Sequence, residues 1–341
     1  MSKLRILIVR LSAIGDVVHG LPVLNALRDR FPHAHLSWVV EGRAAELLRD
    51  HPSLDELIII PRGWLQSPSE ISQLRKRLLE LNPCIAIDLQ GLARSAVVAW
   101  LSGAKRRLVG ADGREMSRFL HTESLQPKQL HVIERNLELL QAVGIFEPSI
   151  RFDLPPFPIE AKTVNQKLKE LLRHKNYAVI NPGAGWPSKR WEVDRFAEVA
   201  RQVGREFLLP SVVVWAGDEE KEWAEQIVAG SGGQAHLAPP TSLRELTEII
   251  RQASLFVSSD TGPLHIAAAV ETPCVGLFGP VAASRNGPYG PDHVSVQRVC
   301  LEGSSRVRRN ANNDCMRAIT VDDVVKACAE VLGQRLLKMS A

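Results

Sequence analysis

Along the first half of the chain, short runs of apolar and β-branched residues at 4–9, 36–40, 57–60, 85–89 and 107–109 alternate with longer stretches. Those stretches, such as 71–81 and 133–143, repeat their apolar positions at helical spacing. Strands that read as unbroken apolar runs belong to a parallel sheet covered on both faces. Between 146 and 162 the pattern lapses into FEPSIRFDLPPFPIEAK, whose four prolines in seventeen residues suit neither a helix interior nor a central strand. This segment reads as a linker between an N-terminal domain of 1–160 and a C-terminal domain of 161–341. A second alternating series follows, with strands at 177–180, 212–215, 255–257 and 275–278 and helices near 191–207, 219–229 and 242–252. The last amphipathic stretch, 320–337, is free to pack back on the first domain.

Two strand-to-helix junctions carry more than packing. At 255–265 the run LFVSSDTGPLH turns from apolar residues through Ser258, Ser259, Asp260, Thr261 and Gly262 into a helix-like stretch; at 4–20 LRILIVR runs into LSAIGD in the same way. A sharp turn of this kind leaves backbone N–H groups unpaired at the carboxyl edge of the sheet, where the helix macrodipole also favours negative charge. Both junctions are places for phosphate, and two of them suggest a cleft between two α/β halves.

Composition changes the picture only by exclusion. With 341 residues, 45% of them hydrophobic and 23% charged, the chain can fill about two domain cores. A net charge of +4 and the lack of a basic arm give no footing for nucleic acid. Lys105, Arg106 and Arg107, with Arg114 and Arg118 nearby, form a local basic group; such a group is ordinarily a solvated face, and a specific anion site is the alternative. Five widely spaced cysteines point to a reducing cytoplasm without disulfides or a zinc cluster. No signal-peptide pattern opens the chain and no apolar run is long enough to span a bilayer. The fingerprints of dinucleotide dehydrogenases, P-loop kinases, serine hydrolases and zinc proteases are all missing. A phosphate or nucleotide site without a standard phosphate loop remains.

Four ordered segments, SAIGDVVHGLP at 12–22, DLQGLARSA at 88–96, NPGAGWPSKRW at 181–191 and SSDTGPLHIAAA at 258–269, resemble the ADP-heptose:lipopolysaccharide heptosyltransferases of glycosyltransferase family 9. The resemblance covers nearly the whole chain. It implies an α/β fold of the GT-B kind, with two Rossmann-like domains facing across a central cleft. It also implies inverting, metal-independent transfer of heptose from ADP-heptose to a lipid-anchored Kdo or heptose of the inner core, with no cofactor. A soluble, monomeric enzyme docking at the cytoplasmic face of the inner membrane is the corresponding expectation.

Inverting transfer needs a base for the proton of the attacking hydroxyl, and a carboxylate at a strand-to-helix junction suits it. Asp16 matches the family's base; the plainer reading is that it caps the following helix. His19, one turn on, is equally well a packed side chain. Departure of ADP needs positive charge or N–H donors near the diphosphate. Lys189 looks like the family's phosphate lysine, although it would otherwise read as an exposed loop residue. The resemblance implies that Gly183, Asp260, Thr261, Gly262 and His265 line the donor site, and it places an acid for the ribose after the strand at 212–215. Asp218, Glu219, Glu220 and Glu222 compete there; counting without a gap selects Glu220, and 238–243 would approach the base. Arg106, Arg107 and Arg114 are expected to steer the anionic acceptor. The stretch VCLEGSSRVRRNANNDCM at 299–316 departs from the family's fuller cysteine pattern and reads as a basic loop with no metal role. An epimerase or hydrolase of the same fold, and a non-catalytic nucleotide-sugar binder, are the competing readings.

Overall fold

The continuous apolar runs form two six-stranded sheets in which every adjacent pair of strands is parallel. The structure, a computed structural model, describes residues 4–113, 117–172 and 176–339. The chain divides into two compact units, Met1–Pro155 and Pro156–Ala341. In the first, β1 (Arg5–Val9), β2 (His35–Glu41), β3 (Glu56–Ile60), β4 (Ile85–Asp88), β5 (Arg106–Gly110) and β6 (Glu123–Leu125) lie in the order β3-β2-β1-β4-β5-β6. In the second, β7 (Ala178–Asn181), β8 (Ser211–Val213), β9 (Ala235–Leu237), β10 (Leu255–Ser259), β11 (Cys274–Phe278) and β12 (Val294–Gln297) repeat that order as β12-β11-β10-β7-β8-β9. Both are the doubly wound Rossmann order, in which the strand sequence reverses between β1 and β4 and between β7 and β10. Ligands of such sheets bind outside the carboxyl ends of the strands at that reversal.

β1, with the sequence RILIV, is buried on both faces from Ile6 to Val9, as a central parallel strand must be. In the second unit Phe196, Val257, Val275 and Leu277 meet Val324, Cys328 and Val331 in one core. The final helix, Val321–Met339, thus lies against β10, β11, β12 and the helix Val193–Glu206 of its own unit. The helix Pro158–Leu171 begins inside the proline-rich stretch, because proline at a first helical position gives up an N–H that would be unpaired anyway. β6, β9 and β12, absent from the sequence reading, are short strands at the sheet edges with mixed polar sequences. No described helix is long and apolar enough to cross a membrane.

Candidate functional site

The reversal points of the two sheets hold two groups of polar side chains. In the first unit the chain leaves β1 at Val9 and enters the helix Ile14–Val18, whose first turn carries Asp16. Both carboxylate oxygens are engaged: Oδ2 accepts the Ala13 N–H at 3.1 Å, and Oδ1 lies 2.5 Å from a guanidinium nitrogen of Arg10. Asp16 therefore does satisfy a helix-end donor, but its side chain remains 36% exposed while that of Arg10 is only 9% exposed. Arg10 also donates to the Leu89 carbonyl, and its own carbonyl accepts from Trp38 Nε1 at 3.1 Å. Sequence reasoning missed Arg10; its signal was a charge placed directly after an apolar strand.

Asp88, the last residue of β4, is the second missed element. Its Oδ1 accepts the N–H groups of Gln90 and Gly91 at 2.8 and 3.0 Å, and its Oδ2 accepts from Ser95 Oγ at 2.8 Å, with His121 Nε2 3.2 Å away. Gln90 Oε1 in turn accepts from the Leu11 N–H at 2.8 Å, tying this turn to the segment before Asp16. Gly91 has φ +63°, and a Cβ there would meet Gly113 Cα at 3.2 Å, so the position requires glycine. The DLQGLARSA segment thus builds a rigid edge beside Asp16. His19 is buried; its carbonyl accepts from Asn136 Nδ2 at 3.3 Å and its ring meets His131 edge-on, which is the packed reading.

Arg106 and Arg107 are not brought to this edge. They open β5, and Arg106 pairs in register with Ile85 at the amino end of β4, three residues below Asp88. Arg106 is clamped by Glu123 at 2.6 and 2.7 Å and donates to the Ala142 carbonyl, while Arg107 donates to the carbonyls of Leu120 and Ala104, both at 2.7 Å. Arg114 lies outside the described residues.

In the second unit the loop after β7 and the turn after β10 meet at the reversal point. Lys189 Nζ lies 2.5 Å from Asp260 Oδ2 and 4.5 Å from the Trp186 ring centroid, its side chain only 13% exposed. His265 Nε2 lies 3.4 Å from the other oxygen, Oδ1. Burial pushes the Asp260 carboxyl up, but the hydrogen bond from His265 and the charge of Lys189 outweigh it, and Asp260 sits below its usual range. Asn181, at the end of β7, donates to Ser258 Oγ at 2.9 Å and to Thr261 Oγ1 at 3.1 Å, which fixes the Thr261 hydroxyl. Thr261 is the N-cap of the helix Gly262–Ala269; Pro263 has no N–H, so Thr261 and Gly262 supply the backbone donors outside the helical ladder. One ammonium proton of Lys189 suffices for Asp260. The others, with these N–H groups, can hold an anion.

Of the four acids after β8, only Glu220 turns inward; Asp218, Glu219 and Glu222 are exposed. Glu220 Oε2 accepts the Ala216 N–H at 2.9 Å, and a Cβ on Gly183 would lie 2.4 Å from Oε1, so the carboxylate rests on the glycine backbone that follows β7. Burial raises the Glu220 carboxyl above its ordinary value, with Ala216 and Arg190 opposing. A raised folded-state value means stability that is present at low pH and lost as pH rises through it. Glu220→Gln is therefore expected to raise the melting temperature at pH 7 and to leave it unchanged well below the ordinary glutamate range. Glu220→Ala should weaken ADP binding about tenfold if the carboxylate holds the ribose, as calorimetry would read directly. Trp215 Nε1 donates to the Ala238 carbonyl at 2.9 Å, fixing the start of the segment expected near the base. Among the described residues no three His, Cys, Asp or Glu side chains gather as a metal site.

The family described as Glycosyltransferase family 9 (heptosyltransferase) matches residues 71–316. Lipopolysaccharide heptosyltransferase 1 of Pseudomonas aeruginosa is 30% identical over 86% of this chain and 83% of its own. Among solved structures, a family 9 glycosyltransferase from Veillonella parvula superposes with a TM-score of 0.84 at 23% identity, covering 98% of this chain and 99% of that one. The E. coli heptosyltransferase WaaC solved with ADP gives 0.74 at 22% identity, covering 97% and 100%. At such identities these structures speak for the GT-B fold of the heptosyltransferases. With the family match spanning more than half its length, the chain belongs to glycosyltransferase family 9, the heptosyltransferases.

Proposed function

We propose that this glycosyltransferase moves heptose from ADP-heptose, with inversion, to a lipid-anchored Kdo or heptose of the lipopolysaccharide inner core. The observation that carries the reading is the Lys189–Asp260–His265 group beside the Thr261 hydroxyl at the reversal point of the second sheet. It occurs in a chain whose relatives are lipopolysaccharide heptosyltransferases. In this reading Asp16 takes the proton from the acceptor hydroxyl as that oxygen attacks the anomeric carbon. Lys189 and the N–H groups of Thr261 and Gly262 take up the charge that develops on the departing diphosphate. Asp260 and His265 hold Lys189 in place, and Glu220 receives the ribose over Gly183. The acceptor's lipid anchor implies work at the cytoplasmic face of the inner membrane by a peripheral, monomeric enzyme.

The test is turnover of ADP-heptose against other nucleotide sugars with a panel of truncated inner-core acceptors. Transfer of heptose to one of them, with ADP released in equal amount, is the expected result. Consumption of the nucleotide sugar without any acceptor would point instead to an epimerase or hydrolase. Binding without turnover would leave a nucleotide-sugar binder.

A further inference from the structure

His121 lies outside the four segments that carry the family resemblance, yet its ring is 1% exposed and faces the Asp88 carboxylate, which is not exposed at all. It follows the one-turn helix Ser117–Leu120, and β5 fixes the chain on both sides of it. Arg107 Nε donates to the Leu120 carbonyl at 2.7 Å, and the Thr122 N–H donates to the Arg107 carbonyl at 3.0 Å. His121 Nδ1 lies 2.8 Å from the Ser117 carbonyl, which can only accept, so Nδ1 carries a proton. Nε2 lies 3.2 Å from Asp88 Oδ2, off the line of a hydrogen bond. With a proton there as well, the ring is a cation set against a buried carboxylate; without one, a lone pair would face that carboxylate. The contact therefore acts through charge, and charge acts strongly where water is excluded.

From Asp88 two short routes lead to Asp16. Asp88 Oδ1 accepts the N–H groups of Gln90 and Gly91 and so sets the turn at 89–91. Ser117 Oγ braces the same turn from the His121 side, donating to the Gly91 carbonyl at 3.2 Å. On the far side of the turn the Leu89 carbonyl accepts from Arg10, whose guanidinium lies 2.5 Å from Asp16 Oδ1. Gln90 Oε1 accepts the N–H of Leu11, the residue after Arg10. A base works only while it is held within a fraction of an ångström of its productive place, and buried supporting contacts are what hold it. We propose that His121 is a positioning residue for Asp16, acting through Asp88, the turn at 89–91 and Arg10. It touches no reacting atom. The inference rests on the reading of Asp16 as the base, and it gives Arg107 a task as well, since Arg107 fixes the chain beside His121.

The experiment measures kcat, the KM for a truncated acceptor, ADP affinity and melting temperature for His121→Asn, His121→Gln, Asp16→Asn and the double variant His121→Asn with Asp16→Asn. Asparagine keeps a donor toward Ser117 and drops the charge beside Asp88, whereas glutamine reaches toward Asp88 with a neutral donor. His121→Asn should lower kcat about tenfold, short of the roughly 10²-fold that a displacement of about 1 Å can cost, while acceptor KM and ADP affinity hold. His121→Gln should recover part of that loss. In the Asp16→Asn background His121→Asn should cost little more, because a base that is absent cannot be misplaced. Should His121→Asn melt below the assay temperature, His121→Gln carries the same comparison. The inference is overturned if His121→Asn keeps wild-type kcat while Asp16→Asn does not. It is equally overturned if His121→Asn lowers kcat by the same factor in both backgrounds, which would make it a general support of its unit, or if it raises the acceptor KM and leaves kcat alone. Near-full turnover by Asp16→Asn would instead overturn the reading of Asp16 as the base, and this inference with it.

Discussion

Asp16→Asn is expected to lower kcat by on the order of 10²-fold or more, the usual scale of a general base, while leaving the Kd for ADP-heptose near its wild-type value. The substitution is a sharp one because it separates the proposed proton transfer from the helix-end contact that Asp16 makes. An asparagine oxygen can still accept the Ala13 N–H, so the first turn of the helix Ile14–Val18 is kept. It cannot take a proton from an attacking hydroxyl. Some stability goes with the charge, since Arg10 is largely buried and keeps only its bond to the Leu89 carbonyl. A melting curve must therefore accompany the kinetics, and single-turnover measurement with saturating donor isolates the chemical step. Near-full turnover under those conditions would reduce Asp16 to a helix-end acceptor and ion-pair partner. Arg10→Lys probes the same arrangement from the other side: an ammonium keeps the charge opposite Asp16 but loses the fork that spans Asp16 and Leu89, so kcat should fall and the donor Kd should not move.

The central strands were legible because burial on both faces forces an unbroken apolar run, and RILIV and LFVSS announce this locally. β6, β9 and β12 were not, because an edge strand needs one neighbour and can be short and polar; ESL has no local pattern to distinguish it from a loop. The site shows the same division. Asp16, Lys189 and Asp260 sit in segments that stand out in the sequence, whereas the contacts that fix them span the chain: Arg10 reaches Leu89, and Asp88 lies against His121. Periodicity carries no such information. The place of the basic group at 105–107 in the sheet was also legible. Arg106 and Arg107 precede the apolar pair Leu108 and Val109, which puts them at the amino end of β5, away from the edge where such sheets bind ligands. Their charges are also spent on Glu123 and on backbone carbonyls. Glu220, by contrast, was separable from Glu219 and Glu222 only by burial against Gly183, which no count along the sequence shows.

Lys189→Ala should cost about 2 to 4 kcal/mol of transition-state stabilisation, roughly 30- to 1,000-fold in kcat/KM for the donor. Part of the loss should appear as weaker binding of ADP-heptose and part as lower kcat, because a contact to the diphosphate exists in the ground state and strengthens as charge gathers on the leaving group. The same change strips Asp260 of its ammonium and leaves a buried carboxylate held by His265. That consequence can be read without any substrate. Asp260 sits below its usual range in the wild-type protein, so it contributes stability above the ordinary aspartate value that is lost as pH falls through its folded-state value. Without Lys189 the downward pull weakens while the burial that opposes it stays. The acid limb of the melting-temperature profile should then shift to higher pH, and Asp260→Asn in the Lys189→Ala background should flatten it. Unchanged donor kinetics together with an unchanged acid limb would mean that Lys189 neither meets the diphosphate nor holds Asp260 ionised. Weakened donor binding with an unmoved acid limb would leave the phosphate role standing and assign the ionisation of Asp260 to His265 alone.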